Sequence, residues 1–94
     1  MDAQAALELA KQVVEAIGAK EEERARTIFN AQYPGFRPEM RQGKPLHWMA
    51  SFFYELDEFL NDSEARRRAN LTPGLILSSY QDLQRDAEDQ ASVS

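Results

Sequence analysis

Apolar residues return every three or four positions through most of this chain, the period of a helix that turns one face toward a core. In the first stretch Ala3, Ala6, Leu7, Ala10, Val13, Val14 and Ile17 share a side, and Gln4, Glu8, Lys11, Gln12 and Glu15 fall opposite. The pattern predicts a helix from about Asp2 to Ile17, with Asp2 as its N-cap and Gly18 as a left-handed C-terminal cap. A second helix is expected from near Lys20, with Glu21, Glu22 and Glu23 in the first turn, where the helix dipole favours negative charge. Its stripe is Ala25, Ile28 and Phe29. Tyr33-Pro34-Gly35 is expected to end it, because a residue before proline is pushed out of the helical region.

Residues 34–44 hold two prolines and two glycines and read as an irregular loop. At about eleven residues it is long for a helix–helix connection, and such loops often carry function. Pro45 suits the first position of a third helix. Leu46, Trp48, Met49, Phe52, Phe53, Leu56, Phe59 and Leu60 then cover an arc of about 160° at 100° per residue. This predicts a central helix over about 45–60, with His47, Ser51, Tyr54, Glu55 and Glu58 on its other side. Asn61 with Glu64 has the form of a capping box, followed by a short helix through Ala65–Ala69. Thr72 and Pro73 open a last helix whose face is Leu75, Ile76, Tyr80, Leu83 and Ala87, flanked by Leu77. Residues 89–94 read as a frayed polar tail.

No alternating pattern or hairpin turn argues for a strand. The expectation is therefore an all-α, compact single-domain bundle over residues 1–88, with four main helices and one short one. A length of 94 residues suits one core, and 43% apolar with 29% charged residues is a globular composition. The chain has no cysteine, which excludes disulfides and thiolate metal sites. Its apolar runs fall far short of the roughly 20 residues that span a bilayer, and Met1-Asp2-Ala3-Gln4 does not begin a secretory signal. A cytoplasmic setting and no membrane partner are expected.

Net charge is −5, which repels phosphate backbones and anionic lipids. The charge is uneven. Arg37, Arg41 and Lys44 face only Glu39 within residues 33–54; Glu55, Asp57, Glu58, Asp62 and Glu64 follow without a base; then come Arg66, Arg67 and Arg68.

Candidate chemistry is sparse. His47, the single histidine, lines up with Ser51 and Tyr54. A Ser–His pair suggests a nucleophile, but no orienting carboxylate or oxyanion donor stands behind it, so it reads as a solvated stripe. No catalytic residue, metal site or cofactor is assigned, and no enzyme is expected. Glu55, Asp57 and Glu58 near Asp62 would attract a cation only loosely. The segment 65–86 can be drawn as a helix-turn-helix, but its second helix exposes Gln81, Asp82, Gln84, Arg85, Asp86 and Asp89, more acid than base. A weak DNA binder, or an acidic mimic of DNA, is the alternative reading, with nucleic acid a disfavoured partner.

The leading expectation rests on the loop. Tyr33, Phe36, Met40 and Trp48 surround Arg37, Arg41 and Lys44, with His47 adjacent, and these types are enriched at interface hot spots. Pro34, Pro38 and Pro45 would hold the segment in few conformations. The competing reading is that Tyr33, Phe36 and Trp48 fold back to close the bundle. The function expected is a non-enzymatic protein–protein interaction module, such as a small regulator, adaptor or inhibitor, acting through about 33–48 on another protein. A homodimer is the further expectation, because alanine-rich neighbours supply little area to cover the third helix.

Overall fold

Each apolar stripe becomes a buried helix face, and the departures from expectation lie at helix ends. The computed structural model describes residues 3–93, so Asp2, the expected N-cap, and Ser94 of the expected tail lie outside the described residues. The elements are α1 (Ala3–Gly18), α2 (Glu22–Phe36), two 3-10 turns (Arg37–Met40 and His47–Met49), α3 (Ala50–Asn61), α4 (Ser63–Arg68) and α5 (Pro73–Val93). No strand occurs among the described residues, and no helix among them is long and apolar enough to cross a membrane. The chain is an all-α bundle of four long helices and one short one.

The long helices close a ring in which α1 packs on α2 and α5, and α3 packs on the same two. α1 buries Ala6, Leu9, Ala10, Val13, Val14, Ala16 and Ile17. Its alanines bring α1 and α2 close, and this is the most extensive helix pair in the fold. α3 supplies the bulk: Phe52, Phe53, Leu56, Phe59 and Leu60 are all buried. The radius of gyration, 12.8 Å, matches the roughly 12 Å expected of one compact body this size.

Five aromatic rings run through the core. Phe29 stacks on Tyr33 at 4.6 Å between centroids, and Phe53 lies 6.3 Å from Phe29 and 5.9 Å from Tyr33. Phe52 meets Phe53 edge-on at 5.7 Å and reaches Tyr80 at 6.0 Å. The series therefore links α2 to α3 to α5. Each pair adds about 0.5–1.5 kcal/mol beyond its buried area.

A polar clasp joins α2 to α3 and α4 on the outside. Asn30 and Asn61 exchange two amide hydrogen bonds, at 3.0 and 2.9 Å, and Asn61 also donates to Asp57 at 2.9 Å. Arg26 donates to the Leu60 carbonyl at 2.6 Å. Arg66 pairs with Glu22 while its guanidinium lies 3.9 Å from the centre of the Phe59 ring.

Five expectations are corrected. α2 does not end at Tyr33-Pro34-Gly35 but runs to Phe36 and on into a 3-10 turn. Pro34 removes one helical amide, yet Phe29, Tyr33, Phe36 and Met40 continue the buried stripe across it, and their burial outweighs one lost bond. The third helix does not begin at Pro45. His47 and Met49 donate to the carbonyls three residues back, Lys44 and Leu46, so the entry is a 3-10 turn and α3 starts at Ala50. Gly18 stays helical, and Lys20 takes the left-handed position, φ 63°. There the Glu21 amide donates to the Ala16 carbonyl at 2.8 Å and the Lys20 amide to Ile17 at 3.0 Å, the double closure of a Schellman turn. The N-cap of α4 is Asp62, which accepts from the Ala65 amide at 2.9 Å, because Asn61 is held in the clasp. Finally, α5 continues to Val93 instead of fraying after Glu88.

Other ends follow expectation. Thr72 accepts from the Leu75 amide at 3.1 Å and Pro73 is the first residue of α5. Ile76 and Leu83 are buried and Tyr80 and Ala87 half-buried, but Leu75 joins Leu77 in solvent.

Two outcomes follow. Phe53→Ala should cost about 3–5 kcal/mol, read as a lower urea midpoint, with Phe53→Leu losing clearly less. Lys20→Gly should stabilise the chain by about 0.5–1 kcal/mol, since only the left-handed strain is relieved. Its melting point should rise by a few degrees.

Candidate functional site

The segment that follows α2 is pinned from inside. Met40, Leu46 and Met49 are fully buried, and the Leu46 amide donates to the Glu39 carbonyl at 2.9 Å, drawing its two 3-10 turns together. Between them the Lys44 amide closes on the Arg41 carbonyl at 3.0 Å, and Gly43 adopts φ 81°, a backbone that a side chain would strain.

This packing divides the expected docking residues into two groups. Tyr33, Phe36 and Met40 are core residues, only 4%, 7% and 0% exposed, so they are corrected from contact residues to anchors. The reason is their helical spacing with Phe29, which carries them onto the buried face once α2 passes Pro34. Arg37, Arg41, Lys44 and His47 remain exposed, and Trp48 is half-buried. The Arg37 guanidinium sits 5.6 Å from the centre of the Tyr33 ring. No carboxylate among the described residues forms an ion pair with Arg37, Arg41 or Lys44. A short, fixed span of an acidic chain thus presents three cations to solvent with Glu39 as its only carboxylate.

Trp48 also borders a groove of about 170 Å³ between α3 and α5. Phe52 and Leu83 line it with Trp48, and Glu55, Asp82 and Asp86 supply carboxylates. Glu55 is half-buried and accepts from the Ser79 hydroxyl at 2.7 Å. The α5 half of this groove has a signal in the sequence. Ser79, Asp82 and Asp86 recur at three and four residues beside Leu83, a polar edge along the buried stripe.

The remaining candidates resolve as follows. His47, Ser51 and Tyr54 are exposed, and no hydrogen bond joins them among the described residues. Asp57 accepts from Asn61, Asp62 caps α4 and Glu55 holds Ser79, so three carboxylates of the acidic run have structural duties. Arg66 is engaged by Glu22 and Phe59, and Arg68 by Glu64.

Comparison with family models, with curated proteins and with solved structures finds no match to the chain.

Two tyrosines give the surroundings a pH dependence. Burial raises the Tyr33 phenol above its ordinary value of 10.0, reinforced by Asp57 and opposed by Arg37. Burial likewise raises Tyr80, with Glu15 and Glu8 adding to it. In the unfolded chain these phenols ionise first, so stability that is intact below pH 10 is lost as the pH climbs past it. The urea midpoint should fall between about pH 9 and about pH 11, and Tyr33→Phe should fall less over the same interval.

Proposed function

We propose that this chain is a non-enzymatic protein-interaction module, a small regulator, adaptor or inhibitor. It engages an acidic surface of another protein through Arg37, Arg41, Lys44 and His47, with Trp48 at the edge of the contact. One observation carries the reading: three cations without ion-pair partners among the described residues stand on a segment held by the buried Met40, Leu46 and Met49. A fixed segment loses little conformational entropy on docking, and its unpaired charges steer an acidic partner. The proposal sets the protein in the cytoplasm, a reducing compartment that suits a chain without cysteine. A second copy of the chain has less support as the partner, because the apolar arc of α3 is covered from within.

Titration with poly-glutamate at low salt, followed by amide chemical shifts, tests this. Shifts should concentrate at residues 37–48, and Arg41→Glu with Lys44→Glu should weaken binding by about tenfold or more. Shifts spread evenly over the chain, or an unaffected double variant, would contradict it. The same titration with a DNA duplex separates the alternative. Saturable DNA binding that depends on Arg67 and Arg68 would favour the nucleic-acid reading.

A further inference from the structure

The groove between α3 and α5 combines two features that recognise one chemistry. The half-buried Trp48 ring lines it above the buried Phe52, and Glu55, Asp82 and Asp86 place negative charge around it from two helices. We propose that this groove receives an arginine side chain from a basic segment of a protein partner. A guanidinium is the cation that suits both features, since it stacks flat on an indole face and offers paired N–H donors to carboxylates. An ammonium meets the charge but has no plane to stack.

The groove is built for such a guest. Glu55 is half-buried and its carboxylate is held by the Ser79 hydroxyl, which fixes one acceptor in place. Asp82 contacts Arg85 one turn along α5, but that pair lies in solvent, where an exposed ion pair is weak and exchangeable. Among the described residues, no basic side chain lies within ion-pair distance of Asp86.

The inference names a second contact of the same interaction module and rests on that reading. The probe here is basic and the site acidic, so failure at the groove leaves the poly-glutamate test of residues 37–48 standing.

Trp48 is the chain's single tryptophan, so its fluorescence reports directly on the groove. The probe is the blocked peptide Gly-Arg-Gly-Arg-Gly, titrated at low salt. A saturable change in Trp48 emission is expected, weakened about tenfold in the Glu55→Gln, Asp86→Asn double variant. Circular dichroism should show that variant folded, since glutamine keeps an acceptor for Ser79. Glu64→Gln, away from the groove, should bind as the parent does, and the lysine version of the peptide about threefold more weakly or worse. Absence of saturation overturns the proposal. So does an equal loss in Glu64→Gln, which would mark a general charge effect, or equal binding of the lysine peptide.

Discussion

The contact between Phe53 and its ring neighbours sets the relation of the helices. Phe53 is fully buried and touches Phe29 and Tyr33 from α2 and Phe52 from its own helix. Phe52 passes the contact to Tyr80 on α5. Ring planes tolerate little sliding without losing van der Waals contact, so this series fixes the register of three helices at once. On the outside, the clasp of Asn30, Asn61, Arg26 and Arg66 ties α2 to α3 and α4 beside this contact. The groove beside Trp48 depends on that register, because its walls belong to α3 and α5.

The helices were legible because helical periodicity is written directly into residue spacing. The α1 stripe, the α3 belt and the Thr72-Pro73 start of α5 all follow from local patterns. The misreadings arose where a local rule met a nonlocal force. Pro34 is a sound stop signal in isolation, but Phe29, Tyr33, Phe36 and Met40 keep a helical period through it, and the core rewards that continuity. Gly18 is the better residue for a left-handed turn, yet α1 stays helical through the buried Ala16 and Ile17 to Gly18 and the turn falls at Lys20. Asn61 resembles a cap, but Asn30, thirty-one positions away, claims its side chain. No windowed reading of sequence contains that distance.

The same reasoning applies to the candidate site. The basic residues of the 37–48 segment were visible as charge, while the sorting of aromatics into anchors and contacts needed the packing. The acidic groove was hidden for another reason. Its carboxylates sit on two helices separated by α4, and only their pairing across the bundle makes them neighbours. Trp48 therefore stands between fields of opposite sign, basic on its own segment and acidic on the groove side. Such a surface favours a partner whose charges alternate and disfavours one of uniform charge.

The Asn30–Asn61 pair has a chemical consequence of its own. Each amide gives one hydrogen and takes one, so the two groups match only while both keep their nitrogen. Spontaneous hydrolysis of either side chain to an acid would set oxygen against oxygen, and at Asn61 it would also turn the Asp57 contact into repulsion. The clasp would then register the age of the molecule: one slow, irreversible loss of ammonia would break one of its two amide hydrogen bonds and leave α2 tied to the end of α3 chiefly by Arg26 on the Leu60 carbonyl.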